Sequence, residues 1–291
     1  MFLPRYRSHL SHRLDDPSYF GVRGGRNHYV EVLGAGGGDR SQVGVWSISA
    51  SLPREECSSS SLFCNSQPVV LYLHGQTSHR GSPPRTGLYR QLQREGFNVV
   101  TLDYRGFGDS VWSGLITVDT VVTDVESVLA WLRENRQVSS PILVWGHSLG
   151  SAVASHVVSR SQGALCSLVL ESAFNNLSDQ LYRHSWTKPW ANILPRPVFS
   201  WLFAPRPEVN FVPDEKLPLV SVPIIMVHAH SDPVVSSHLA RTLFQQAVKL
   251  GRGTNIEFVE LLNKDYGHSQ IYKSPELPRI LNTVRNNCGH Q

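Results

Sequence analysis

The sequence predicts an α/β fold: a mostly parallel central sheet flanked by helices, with an aromatic- and proline-rich insertion between two of the later strands. Three observations carry the prediction. Short apolar runs of strand length recur between residues 69 and 262. Helical patterns lie between them, and strand–helix alternation reads as βαβ units, whose strands run parallel. One apolar run ends directly on Gly146-His147-Ser148-Leu149-Gly150, which is followed by a small-residue helical pattern.

Length and composition bound the rest. At 291 residues the chain is long enough for a large core, and α/β folds often reach this length as one unit. Hydrophobic residues make up 41% and charged residues 17%, which excludes an intrinsically disordered chain. A net charge of +4 gives no footprint for a nucleic-acid partner.

Residues 1 to about 27 are polar and basic, so we expect an N-terminal arm there and one folded domain over 28–291. The arm's five arginines (5, 7, 13, 23 and 26) face only Asp15 and Asp16, a balance that suits a solvated segment or contact with an anionic membrane surface. Tyr29, Val30 and Val32, then Val43, Val45, Trp46 and Ile48, read as two strands joined by a turn at Gly34–Gly38. Residues 51–66 read as a loop. The runs 69–73, 99–102, 142–145, 168–170 and 224–227 are continuous and apolar, as in strands covered on both faces. Val121, Val122, Val125, Val128, Leu129 and Leu132 keep helical spacing, as do Leu277, Ile280, Leu281 and Val284. Residues 174–218 break the alternation with Trp186, Trp190, Phe199, Trp201, Phe203, Phe211 and seven prolines, and read as an inserted cap.

Strand, Gly-x-Ser-x-Gly, then helix is the context of a nucleophile elbow, in which a tight turn presents the serine hydroxyl at the carboxyl end of the sheet. Ser148 is the candidate nucleophile. A serine needs a base to take its proton, and the base needs a carboxylate to orient it. On this architecture the chain order is serine, acid, histidine. Asp232, in the turn after the strand at 223–228, fits the acid; Glu171, just after the strand at 168–170, competes for the role. Of 13 histidines, His268 is best placed, in a loop between the last strand (256–262) and the C-terminal helix. His228 and His230 precede Asp232, and His238 follows it too closely.

An acyl-transfer site also needs backbone donors for the oxyanion, each worth roughly 3 kcal/mol. We expect them from Leu149, after the nucleophile, and from Gln76, after the strand-ending His74-Gly75. Asp103-Tyr104-Arg105-Gly106-Phe107-Gly108-Asp109-Ser110 reads as scaffold beneath the site, since no Gly-Lys-Ser/Thr follows to make a phosphate loop.

Together these residues resemble the α/β-hydrolase superfamily over about 43–291. Leu71–Gly75, Val100–Gly106, Trp145–Gly150 and Ile271–Leu281 are most similar to the abhydrolase domain-containing protein 12 group, including its B-type branch. The resemblance implies a serine hydrolase of lipid esters, since characterised members are lysophosphatidylserine and monoacylglycerol lipases. It carries Ser148, Asp232 and His268 over as nucleophile, acid and base, and it implies association with the endoplasmic reticulum membrane. The chain departs from the group at Gln76-Thr77-Ser78-His79, where asparagine and small residues are usual. A thioesterase acting on palmitoylated protein shares the same chemistry, and a non-catalytic binding protein shares the same fold.

No segment reads as a transmembrane helix or signal peptide, so the expectation is a soluble or peripheral protein whose partner is a lipid ester. No ligand cluster with metal spacing appears, and no cofactor is expected. Cys57 and Cys64 could close a small disulfide, whereas Cys166 and Cys288 read as unpaired. Asn176-Leu177-Ser178 is a weak glycosylation signal.

Overall fold

A computed structural model describes residues 11–33, 40–50, 61–63, 65–111, 116–135, 140–161, 165–184, 187–252, 255–263 and 265–289. The expected glycine turn at 34–38, most of the loop at 51–66, Cys57, Cys64, Trp186 and the first arginines of the arm lie outside these residues. In chain order the strands and helices are β1 (Gly25–Leu33), β2 (Arg40–Ile48), β3 (Val69–Leu73), α1 (Pro83–Arg94), β4 (Asn98–Leu102), α2 (Val118–Asn135) and β5 (Ile142–His147). There follow α3 (Leu149–Arg160), β6 (Leu165–Glu171), α4 (Leu177–Arg183), α5 (Lys188–Ile193), α6 (Arg196–Phe203) and α7 (Pro213–Lys216). The chain ends with β7 (Ile224–Ala229), α8 (Ser237–Ala247), β8 (Ile256–Leu261) and α9 (Leu277–Gly289).

The eight strands form one sheet in the order β1-β2-β4-β3-β5-β6-β7-β8. β1, β2 and β4 pair antiparallel, and every other pairing is parallel. The fold class predicted from the sequence is therefore the one observed. Strands β3 to β7 are buried along their whole length, because helices cover both faces. Side chains alternate across a strand. Leu71 packs with α2 and α3 on one face, while Val70 and Tyr72 pack with α1 and α9 on the other. Full burial of such a Val or Leu contributes roughly 1.5–3 kcal/mol.

Two expectations change. Residues 14–24, read as the end of a solvated arm, lie against the sheet: Leu14 and Val22 are buried, and the Trp46 indole donates to the Leu14 carbonyl. Two apolar residues among charged ones leave no periodic signal, so the contact is invisible in the sequence. Cys166 and Cys288, read as unpaired, form a disulfide between β6 and α9 across a separation of 122 residues. Sequence distance carries no information about this approach. It exists because α9 folds back to cover the face of the sheet on which Cys166 lies.

The string after β4 is anchored as scaffold. The Arg105 guanidinium makes a two-pronged pair with Asp124 of α2, both side chains fully buried. Asp103 accepts from the Arg80 guanidinium at 2.7 Å and from the Arg80 amide at 2.6 Å. These contacts join the loops after β3 and β4 at one edge of the sheet.

Candidate active site

Loops at the carboxyl ends of β3, β5, β6, β7 and β8, together with the start of α1, line a cavity of about 590 Å³. Open α/β sheets place their ligand sites at this edge. Ser148, His268, Gln76, Glu171 and Arg85 all line it.

Ser148 stands between β5 and α3 with φ 54° and ψ −119°, in the left-handed half of backbone space that side chains avoid. The surroundings hold it there. Its amide donates to the Glu171 carbonyl at 2.8 Å, and its carbonyl accepts from the Ser151 amide at 2.9 Å. The flanking glycines are sterically required. A Cβ on Gly146 would lie 2.2 Å from the Gly150 carbonyl oxygen, and one on Gly150 would lie 2.0 Å from that of Leu73. Neither neighbour is a flexible side-chain end, so neither can yield.

The structure brings His268 and Asp232 together. His268 Nδ1 lies 2.7 Å from Asp232 Oδ2, and the Asp232 side chain is fully buried. The other carboxylate oxygen accepts from the amides of Val234 at 2.8 Å and Val235 at 3.0 Å. Burial drives the Asp232 carboxyl upward, but His268, the Val235 amide and His228 outweigh it and hold the group below its ordinary range. Asp232 is therefore a fixed anion, which makes His268 Nδ1 the donor and leaves Nε2 as the acceptor.

Glu171, the competing acid, is engaged elsewhere: Trp145 Nε1 donates to it at 2.8 Å. Burial pushes its carboxyl up to about 7, against the opposing pull of that indole and of His268. His228 touches the acid rather than the cavity. Its Nε2 lies 3.5 Å from Asp232 Oδ2 and 2.9 Å from the Val235 carbonyl.

Gln76 lies at the cavity wall, and Leu149 is the first residue of α3. Their loops are packed together, since a Cβ on Gly75 would come within 3.2 Å of Ser148 Cβ. His74 faces away, with Nδ1 2.6 Å from the Gly75 carbonyl and its ring 4.3 Å from that of Tyr104.

The sequence reading missed two residues. His147 Nε2 lies 2.8 Å from the His268 carbonyl oxygen, and the two rings are 4.8 Å apart. Its place beside Ser148 in the motif was the available signal. Arg85, on the first turn of α1, donates to the carbonyls of Gly75 and Thr77 and so braces the Gln76 loop. This guanidinium is buried, has no carboxylate partner among the described residues, and leaves Nη1 without an acceptor. Nothing in its sequence neighbourhood marks it.

The inserted helices do not line the cavity as expected of a cap over an acyl chain. Of residues 174–218, His184 alone among the described residues reaches the wall. Phe199 and Phe211 are buried, but Trp190 and Trp201 turn outward. Composition shows that aromatics must be covered, not which surface covers them. Asn176, the weak glycosylation signal, caps α4 by accepting from the Asp179 amide at 2.8 Å.

Comparison with known proteins gives findings of three kinds. Residues 65–215 match the family described as "Serine aminopeptidase, S33". The chain is 36% identical over 230 residues to the lysophosphatidylserine lipase ABHD12 of Rattus norvegicus, a match covering 75% of this chain and 55% of that protein. It is 29% identical over 259 residues to Protein ABHD12B of Homo sapiens, covering 86% and 70%. The chain thus spans about half the length of the lipase relatives it matches. Among solved structures, the esterase Pf2001 of Pyrococcus furiosus superposes with a TM-score of 0.69 at 20% identity, covering 99% of each chain.

Proposed function

From the premise that this chain belongs to the serine aminopeptidase S33 family of α/β-hydrolases, beside the lysophosphatidylserine lipases, we propose that it hydrolyses carboxylic esters of lipids through an acyl-enzyme. The substrates we assign are monoacylglycerols and lysophospholipids, including lysophosphatidylserine. The observation that carries the reading is the strained Ser148 turn sharing one cavity with a His268 that is hydrogen-bonded to a buried, anionic Asp232.

In this mechanism Ser148 Oγ attacks the ester carbonyl while His268 Nε2 takes its proton. Asp232 holds the imidazole in the required tautomer and stabilises the imidazolium that forms. The amides of Gln76 and Leu149 receive the negative charge on the tetrahedral oxygen, and His268 returns its proton to the leaving alcohol. Water, deprotonated by His268, then releases the fatty acid. Glu171 takes no part as the acid, because its carboxyl is spent on Trp145.

The test is fluorophosphonate labelling of the wild type beside Ser148→Ala, with the modified residue mapped by mass spectrometry. Labelling at Ser148, lost in the variant, is expected. A panel of monoacylglycerol, lysophosphatidylserine and palmitoyl-cysteine peptide then ranks oxygen esters against thioesters. Folded wild type that takes no label would reduce the site to a binding pocket.

A further inference from the structure

The outer face of the inserted helices is apolar and uncovered. On α6, Val198, Trp201 and Leu202 fall at i, i+3 and i+4, on one side of the helix. The opposite side packs inward through Phe199, which is buried against Tyr182 and stacked on Phe203 at 4.6 Å. On α5, Trp190 and Ile193 project outward while Ala191 is buried. Trp201 is 82% exposed, Ile193 75% and Trp190 55%. Large apolar side chains set this close together on a surface mark an interaction site.

The charges beside them select the partner. From residue 183 to residue 208 the chain has Arg183, Lys188, Arg196 and Arg206 against a single acid, Glu208. Arg196 is held by Asp179 at 2.6 Å. Arg183, Lys188 and Arg206 are exposed and make no ion pair among the described residues. Tryptophan, isoleucine and leucine on one face with lysine and arginine at its borders is the pattern of a segment lying in a membrane interface, with the apolar side chains among the acyl chains and the cations at anionic headgroups. The position suits that use. His184, which follows α4 directly and lines the cavity, lies four residues before the start of α5.

We propose that the outward face of α5 and α6 docks on an anionic lipid surface and so holds the cavity mouth beside it. The face is independent of the chemistry at Ser148, so binding and catalysis can be tested apart.

The experiment is sedimentation of the purified chain with vesicles of phosphatidylcholine alone and of equal parts phosphatidylcholine and phosphatidylserine. Wild type and Ser148→Ala should both sediment with the anionic vesicles, less so as salt is raised. The paired variant Trp201→Ser, Ile193→Ser should lose about tenfold or more in partitioning while keeping its hydrolysis of a short, water-soluble ester. Lys188→Glu with Arg206→Glu should lose affinity for the anionic vesicles by about fivefold per cation removed, with little change on neutral ones. Equal binding by wild type and the Trp201→Ser, Ile193→Ser variant overturns the proposal. So does a lipid-free dimer of the wild type that the same variant abolishes, because the face would then belong to a second copy of the chain.

Discussion

The imidazole of His147 donates from Nε2 to the carbonyl oxygen of His268 at 2.8 Å, so the residue beside the candidate nucleophile holds the loop that carries the candidate base. The contact joins the end of β5 to the segment after β8. It fixes the His147 tautomer with the proton on Nε2. Burial, aided by the neighbouring His268, pushes the His147 imidazole down to about 3, so it stays neutral at working pH.

His147 is therefore a positioning residue. We predict that His147→Phe lowers kcat by about 10- to 100-fold with KM little changed, because the loop loses its anchor while an aromatic ring stays in the cavity wall. His147→Gln restores a donor and should recover part of the loss. An equal drop in both variants, accompanied by a lower melting temperature, would assign the residue to packing alone.

Arg85 braces the loop that supplies the Gln76 amide by donating to the Gly75 and Thr77 carbonyls. Arg85→Met should lower kcat by about 10- to 100-fold, up to the loss of one oxyanion donor. Arg85→Lys keeps the charge but not the fork and should fall between the two. Steady-state kinetics on one soluble ester, with circular dichroism to confirm folding, checks the order wild type, Lys, Met.

Glu171 ionises at about 7 in the folded protein against an ordinary 4.5. Between these values the folded chain keeps a proton that the unfolded chain has released, so stability falls as pH rises through that window. The full effect above it is on the order of 3 kcal/mol. Glu171→Gln cannot ionise and still accepts from the Trp145 indole. Its melting temperature relative to wild type should therefore climb from acid to neutral pH and level off above the folded value. A difference that stays flat with pH would show that the carboxyl is not held protonated.

The Cys166–Cys288 disulfide ties the central sheet to the last helix across 122 residues. Cys288→Ser in protein oxidised during folding should lose about 2–4 kcal/mol in denaturant unfolding. Alkylation of the unreduced protein followed by peptide mass mapping should find these two cysteines joined. Free alkylated thiols at both positions would remove the cross-link.

Much of this protein follows from local pattern. Continuous apolar runs specify strands covered on both sides, so β3 through β7 were legible with ends correct to a few residues. Ser148 was legible because its turn admits only glycine on either flank, and the motif records that steric demand. Asp232 and His268 were legible because chain order on a parallel sheet fixes which loops reach the nucleophile's edge. The tertiary structure decided the rest. The disulfide, the His147–His268 contact and the Arg85 brace join residues whose neighbours in sequence do not meet, and no periodicity encodes such approaches. The aromatic insertion shows the limit most directly. Its composition demanded a covering surface, but the packing buries Phe199 and leaves Trp201 facing solvent, away from the cavity wall. Apolar area sets how much surface must leave water, whereas the direction of each side chain is set by the partners the fold brings to it.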